Sequence, residues 1–289
     1  MTNPAAGPME REVRFKIRAE KIEFSILTAA VIILGLGYFV FGRFESKASQ
    51  IFLLLPIAFL FTSHIRYMDQ VEGLSFRRLL RYSLALWGAT WIIEAVGVWS
   101  GLYNYEKTVL GALRLGPVPL LIPCIWVLFC WLAASIVHFL WGRGAGKAAD
   151  LPLPAESLAT AWVLVSIAFA IEWHFSGLIG LWNWSEPRGG WTIDGVPAVN
   201  FLIWFVVGLI SPVLRRIGRA PRIEHQTQSG FLQCLPVLGF GLVLSFDTGL
   251  NIIRGFPAAG ALCASSVFVL GMALAVRSRR RAEHPFNIP

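Results

Sequence analysis

Residues 118–141 read VPLLIPCIWVLFCWLAASIVHFLW, a run without a single Asp, Glu, Lys or Arg. A helix needs about 20 consecutive apolar residues to cross the hydrocarbon core of a bilayer, and this run is long enough. The whole chain has a similar character, because 56% of its 289 residues are hydrophobic and only 15% are charged. A soluble domain has about a quarter of its residues charged. The sequence therefore predicts a polytopic membrane protein.

Further apolar runs lie on both sides of this one and predict a membrane helical bundle of the all-α class, with about eight transmembrane helices. Residues 1–289 are interpreted as a single transmembrane domain. The polar residues 1–23 form a cytoplasmic segment, and the run after them lacks a small-residue cleavage site, so the first helix is predicted to be uncleaved. The predicted spans are 24–42, 49–65, 79–102, 118–141, 157–182, 196–214, 231–250 and 255–276.

The basic residues predict the orientation of these spans. If both chain ends lie in the cytoplasm, 19 of the 25 Lys and Arg fall in cytoplasmic segments and only six in outer loops. This bias is the one that orients bacterial-type inner membrane proteins. It also accounts for the net charge of +8 without a nucleic-acid partner. We therefore predict a multi-pass protein of such a membrane, with no nucleic acid bound.

Two segments of the chain repeat the same order of short motifs. In both, an Ile-Glu pair precedes a Gly-Leu-aromatic-Asn-aromatic loop, a Val-Pro pair and a tryptophan seven residues after that proline. The spacing from the acid to the Gly-Leu pair differs by one residue. Residues 79–141 are called the first unit and residues 157–214 the second unit, and each is predicted as a helix, an outward-facing loop and a returning helix. Taken alone, the aromatic residues of the loops are also typical of an interfacial aromatic belt, and the prolines are also typical of helix starts.

The acid in each unit lies deep in its predicted span. Glu94 and Glu172 sit roughly 12–15 Å from the outer end, from the 1.5 Å rise per residue of a helix. A charged carboxylate there costs at least about 2.5 kcal/mol, and an apolar environment favours the neutral acid, which can donate a proton. The plain alternative is an interhelical hydrogen bond, including one between the two acids. The helical stripe of Glu94 continues outward as Val98, so it offers this acid no polar partner.

Aromatic residues share the helical stripes of both acids. Trp87 and Trp91 precede Glu94, and Phe175 follows Glu172. Aromatic faces stabilise a nearby cation, so this environment suits chemistry that protonates an alkene and holds a carbocation. The alternative is ordinary helix packing, which we favour for Trp87. A third acid, Asp247, lies near the outer end of span seven, where a hydrogen bond with Thr248 or Asn251 is an equal alternative.

No cofactor or metal is predicted. The four cysteines lie in apolar stretches without a CxxC pair and are interpreted as core residues. His64 and His138 are candidate haem ligands, but each lies at a membrane boundary, where a histidine needs no special role. The sequence contains no HExxH, Walker, GxGxxG or GxSxG motif.

The two units resemble an integral-membrane carotenoid-biosynthesis family that includes the carotenoid 1,2-hydratases and bisanhydrobacterioruberin hydratase. The resemblance covers about 110 residues, spans three to six. It implies hydration of the terminal double bond of an acyclic carotenoid to a tertiary alcohol, without a redox cofactor. The blocks that carry it are the Gly-Leu-Tyr-Asn-Tyr loop with Gly116-Pro117-Val118-Pro119, and the Gly-Leu-Trp-Asn-Trp loop with Gly195-Val196-Pro197, Asn200-Phe201 and Trp204.

These observations combine into one hypothesis for the site. Glu94 or Glu172 protonates the alkene, Trp91 or Phe175 shelters the cation, and the other acid orients water with Asn104 or Asn183. The expected partners are a lipophilic carotenoid, water and the lipid bilayer; the sequence leaves the oligomeric state open. A cyclase or isomerase, a transporter or lipid-binding protein, and a structural subunit without a cavity at the acids are the alternatives. The candidate catalytic residues are Glu94, Glu172 and Asp247, and the candidate substrate contacts are Trp91, Tyr103, Asn104, Phe175, Trp182, Asn183, Asn200 and Trp204.

Overall fold

The computed structural model is mostly helical. It describes residues 76–105, 113–141, 151–178, 180–185, 190–217 and 251–283, together with a few separate positions between 237 and 249. Predicted spans 24–42 and 49–65 and most of 231–250, including Asp247, lie outside the described residues. The described α-helices are α1 (Phe76–Trp99), α2 (Leu121–Trp141), α3 (Leu153–Glu172), α4 (Ala198–Arg216) and α5 (Pro257–Glu283).

Four of these helices are long and apolar enough to cross a membrane: α2, α3, α4 and the Pro257–Val276 part of α5. They match predicted spans four, five, six and eight, and they fit a membrane protein. Helix α1 has 24 residues and covers 79–99 of predicted span three, and residues 100–102 form a turn. Exposed apolar side chains such as Leu202 and Phe268, 58% and 68% exposed, are expected on helices that face lipid.

Span five was predicted as one continuous helix over 157–182, but the structure differs from this prediction. Its α-helical part ends at Glu172, and a π-helix follows over Trp173–Leu178. A π-helix accommodates one extra residue within a helical segment, and such turns occur mainly at functional positions. The extra residue between the acid and the Gly-Leu pair of the second unit lies in this stretch.

The prediction of a mainly helical fold is confirmed, and the loops between the helices add three short antiparallel strand pairs. A hairpin joins β2 (Arg114–Leu115) to β3 (Val118–Pro119), and another joins β5 (Thr192–Ile193) to β6 (Val196–Pro197). At the turn of the second hairpin Asp194 has a φ of 47°, a backbone conformation typical of Asp-Gly hairpin turns. These pairs are too short to show a clear two-residue period in the sequence.

The third pair joins the loops of the two units. Strand β1 (Tyr103–Tyr105) runs antiparallel to β4 (Trp182–Trp184), and Asn104 lies opposite Asn183. Side chains alternate between the two faces of a strand. In β1 the outer residues of the Tyr-Asn-Tyr motif are therefore buried while the central asparagine is exposed.

Close packing and buried polar contacts hold the helices together beneath these strands. Gly208 of α4 lies so close to Ala161 of α3 that a Cβ atom on Gly208 would overlap its backbone. Buried hydroxyl groups bridge other helices: Tyr82 of α1 bonds Ser211 of α4 at 2.7 Å. Far from β1 and β4, Glu156 in the first turn of α3 forms an ion pair with Arg216 at the end of α4.

Candidate functional site

A cavity of about 50 Å³ lies between helices α1–α4 and the β1–β4 pair, and both predicted acids line it. A water molecule needs about 10–15 Å³ of such space, so the cavity has room for roughly three to five waters. Its walls are mainly aromatic and aliphatic. The lining residues are Glu94, Tyr103, Tyr105, Ile122, Ile125, Trp126, Phe129, Ile171, Glu172, Phe175, Leu181, Trp182, Trp184, Asn200 and Trp204.

Glu94 has three hydrogen-bond donors around its carboxyl group. Its Oε2 accepts hydrogen bonds from the hydroxyl groups of both Tyr103 and Tyr105. Its Oε1 accepts one from Trp126 Nε1 at 2.5 Å. The prediction that Glu94 lacks a polar partner was therefore wrong, because it considered only the helix of Glu94 itself. The donors come from the following loop and from α2.

The backbone of α1 makes room for one of these donors. A methyl group on Gly97 would lie 2.6 Å from the Tyr103 hydroxyl oxygen, so only glycine leaves space for the phenol at this position. Burial, and secondarily the Glu94 charge, raise the pKa of Tyr103 and of Tyr105 above the ordinary range. Both phenols therefore remain protonated donors to the Glu94 carboxyl group.

Glu172 is 2% exposed and has a single hydrogen-bond donor among the described residues. Its Oε1 accepts a hydrogen bond from Trp204 Nε1 at 3.0 Å, while its Oε2 has no partner among the described residues. Asn200 and Trp182 interact with the carboxyl group as polar neighbours, yet neither completes a hydrogen bond. The buried Nδ2 of Asn200 and the indole nitrogens of Trp182 and Trp184 are also unpartnered within the described part of the chain. Such atoms mark where a ligand or water is expected.

Two tryptophans connect the acids across the cavity. The rings of Trp126 and Trp204 lie 4.0 Å apart between centroids, at an angle of 38°. Each donates its indole N–H to the acid of its own unit. Two carboxyl groups at one apolar cavity provide a proton donor and a proton acceptor, and the aromatic faces beside them can stabilise a cation.

Seven of the eleven predicted site residues line this cavity, three described ones do not, and one is not described. Trp91 is half-buried and donates its N–H to the Leu115 carbonyl oxygen at 3.1 Å, outside the lining. Asn104 and Asn183 are exposed on the other face of the strand pair. Asp247 lies outside the described residues. The seven are Glu94, Glu172, Tyr103, Phe175, Trp182, Asn200 and Trp204.

Sequence reasoning did not include eight of the lining residues. Five had a signal, because they belong to the repeated motifs: Tyr105, Trp126, Ile171, Leu181 and Trp184. The other three, Ile122, Ile125 and Phe129, are apolar residues of span four with no distinguishing pattern.

No group of three or more metal-ligating side chains lies within the described ranges. Cys130 and Cys263 are buried and Cys124 is exposed, and none of the three forms a disulfide within the described part of the chain. His138 lies in the last turn of α2, whereas His64 and Cys234 fall outside the described residues.

A family comparison matches residues 49–271 to the model of a family described as carotenoid biosynthesis protein. The match includes both units, the cavity and predicted spans that the structure does not describe. Neither the search of curated proteins nor that of solved structures found a match. With well over half of its length covered by the family model, the chain belongs to the carotenoid biosynthesis protein family.

Proposed function

We propose that this protein hydrates the terminal C=C bond of an acyclic, lycopene-like carotenoid to a tertiary alcohol, without a cofactor. The observation that carries the proposal is the pair of buried carboxyl groups at one aromatic cavity with room for water. A polyene is insoluble in water, so an enzyme that acts on it is best placed within the bilayer. Membership of a carotenoid biosynthesis family supports this substrate class.

The reaction needs one acid, one base and one water. A carboxylic acid gives its proton to the terminal alkene, whose π electrons form the new C–H bond and leave a tertiary cation. The oxygen of a water molecule then forms the C–O bond, and the second carboxylate takes the proton that this oxygen loses. The sum is alkene plus water to alcohol, so no electrons are exchanged with an outside partner.

Aromatic rings around the cavity support the cationic intermediate. Trp126, Trp204 and Phe129 form one wall, with Phe129 5.8 Å from Trp204 between ring centroids. Phe175 and Trp182 form another, 5.9 Å apart. Negative ring faces stabilise a nearby cation most strongly where water is scarce. These residues take the sheltering role that the sequence suggested for Trp91.

The unpartnered polar atoms favour hydration over cyclisation or isomerisation. Glu172 and Asn200 both line the cavity, and within the described part of the chain Glu172 Oε2 and Asn200 Nδ2 have no hydrogen-bond partner, so water can satisfy both polar groups. A cyclase or isomerase must instead keep water from the cation. A polar-solute transporter would need a polar path, whereas this lining is predominantly aromatic and aliphatic.

The proposed architecture is a bundle of eight spans with both ends in the cytoplasm, built from two duplicated units. The matching positions of the acids, tryptophans and strands support the duplication. In this arrangement the β1–β4 pair faces outward, and Glu94 and Glu172 lie below it at comparable depth.

The test is expression in a bacterium engineered to accumulate lycopene, with pigments separated by chromatography and identified by mass spectrometry. We expect a more polar pigment that is heavier by one water. The double variant Glu94→Gln/Glu172→Gln, present in the membrane in equal amount, is the matched control and should leave lycopene unchanged. An isomer of unchanged mass would replace hydration by cyclisation or isomerisation.

A further inference from the structure

We propose that the two acids have fixed and different roles: Glu172 carries the proton to the alkene, and Glu94 takes the proton from the adding water. This inference rests on the proposed hydration. Sequence alone treats the two acids as equivalent, because they occupy matching positions in the two units. The structure gives them unequal surroundings.

The hydrogen bonds of Glu94 suit a carboxylate. A carboxylate can accept about four hydrogen bonds and donates none. Three donors already point at Glu94, from Tyr103, Tyr105 and Trp126. Hydrogen bonds to the charged form stabilise it. Among the described residues, Oε1 accepts only the Trp126 N–H, which leaves one acceptor position of this oxygen for a proton from water.

The surroundings of Glu172 suit a neutral acid. Among the described residues only Trp204 donates to it, and a buried carboxylate with one donor is poorly stabilised. Glu172 lines the cavity, and its Oε2 is buried without a protein partner in the described part of the chain. A proton on this oxygen is therefore not held by any acceptor of the described residues. Glu172 Oε2 is thus placed to protonate the alkene.

Three sequence differences between the units produce this asymmetry. The residue three positions after the acid is Gly97 in the first unit and Phe175 in the second. The phenol of Tyr103 fills the space over Gly97 and so reaches Glu94. In the second unit the Phe175 ring packs against Trp182, whose indole N–H makes no hydrogen bond within the described chain.

The loop residues add the second difference, because tyrosines in β1 are replaced by tryptophans in β4. A phenol hydroxyl extends from the end of its ring, whereas the indole N–H lies at the side of a bulkier ring system. The extra residue in the π-helix after Glu172 is the third difference. Within the described part of the chain, these differences leave Trp204 as the single donor to Glu172, whereas Trp126 is one of three donors to Glu94.

The proton balance of the cycle follows from these roles. Glu172 Oε2 loses its proton to the alkene carbon, and water adds to the resulting tertiary cation. The proton from the added water goes to Glu94. Its return to Glu172 through waters of the cavity restores both groups, and the net reaction consumes one water.

Deuterium labelling separates the two roles. Membranes holding wild-type protein, Glu172→Gln or Glu94→Gln are incubated with lycopene in D₂O, and the recovered alkene and alcohol are analysed by mass spectrometry. Glu172→Gln should lose both alcohol formation and deuterium in recovered lycopene by at least about 100-fold, the usual contribution of a general acid. Glu94→Gln should lose alcohol formation similarly, yet its recovered lycopene should still acquire deuterium by reversible protonation.

A second variant guards against simple misfolding. The double change Tyr103→Phe/Tyr105→Phe removes the phenol donors but keeps both carboxyl groups, and it should behave like Glu94→Gln. Deuterium exchange in Glu172→Gln, or its loss in both Glu94→Gln and the tyrosine variant, would overturn the assignment of roles. A wild-type protein that forms no alcohol from acyclic carotenoids would overturn the proposed function itself.

Discussion

Gly97 is the residue on which the environment of Glu94 depends most directly. It has no side chain, so the Tyr103 ring can lie against α1 and place its hydroxyl group on the carboxyl group. The sequence predicted the position and depth of Glu94 but not these partners. Helical spacing relates residues on one helix, whereas a turn at residues 100–102 folds the Tyr103 ring back over Gly97.

Gly97→Ala is expected to destabilise the protein by about 1–3 kcal/mol, the usual cost of an extra methyl group in a packed interior. The new methyl would overlap the Tyr103 hydroxyl group, so hydration should fall as well. Thermal unfolding of the purified protein in detergent measures the stability. Gly88→Ala on the same helix is the control: a Cβ there meets nothing within 4 Å, so stability should be unchanged or slightly increased. Equal stability of the two variants would contradict the packing of Tyr103 on Gly97.

Trp126→Phe separates the aromatic ring from its N–H group. The phenyl ring can still pack near Trp204, but Glu94 Oε1 loses its donor. A hydrogen bond to a charged group contributes about 1.5–3 kcal/mol, so hydration should slow by roughly 10-fold to 150-fold. Pigment analysis against protein content measures the rate. Trp191→Phe, at an 88% exposed position, should leave the rate unchanged. An unaltered rate in Trp126→Phe would mean that the hydrogen bond from Trp126 to Glu94 does not contribute to hydration and that only the aromatic ring does.

The asparagines of the two loop motifs show why part of the site was not predictable from residues alone. Asn104 and Asn183 look like natural water ligands beside the acids. The antiparallel register of β1 and β4 pairs them with each other and exposes them, while their aromatic neighbours line the cavity. Which face of a short strand is buried depends on its partner strand, and these two loops are far apart in sequence.

At the scale of elements, the extra residue of the second unit has a structural location. The π-helix Trp173–Leu178 lies between Glu172 and the Gly-Leu turn, where the first unit stays α-helical up to Trp99. The sequence contains the difference in spacing, but an insertion can also extend a loop. The prediction of span five therefore missed the π-helix within it, although a helix long and apolar enough to span the membrane is present.

Helices α3 and α4 approach each other closely, and this contact depends on Gly208. A Cβ atom at this position would overlap backbone atoms of Ala161, which cannot move without shifting the helix. Small residues permit such close approach between membrane helices. Gly208→Ala is expected to lower stability by about 3 kcal/mol, the upper end of ordinary overpacking costs. Since α3 carries Glu172 and α4 carries Trp204, hydration should fall too.

Gly271→Ala is the matched control for this prediction. Gly271 lies within α5, and a Cβ there meets no atom within 4 Å. Its unfolding temperature in detergent should equal or slightly exceed that of the wild type. A Gly208→Ala protein as stable as Gly271→Ala would show that α3 and α4 are not in such close contact.

Across the whole molecule, the cavity lies between the units, with the β1–β4 pair towards one end and the Glu156–Arg216 ion pair towards the other. Hydropathy predicted the described spans because each is a local property of the chain. The cavity arises from contacts between residues up to about a hundred positions apart. Local sequence patterns do not predict such contacts. The distribution of basic residues predicts that the end with the ion pair faces the cytoplasm, because Arg215 and Arg216 belong to the predicted cytoplasmic set.

The orientation leads to a prediction about where water enters. If both ends are cytoplasmic, Lys107 follows β1 on the outer side and Lys147 follows α2 on the inner side. In a protein whose four cysteines are replaced by alanine, Lys107→Cys should react with a membrane-impermeant maleimide in intact cells, and Lys147→Cys only after permeabilisation. Retained pigment production in each variant is the control for folding. The reverse labelling pattern would mean that the protein has the opposite orientation in the membrane. The strand pair would then lie on the cytoplasmic face, and the water of the proposed hydration would come from the cytoplasm.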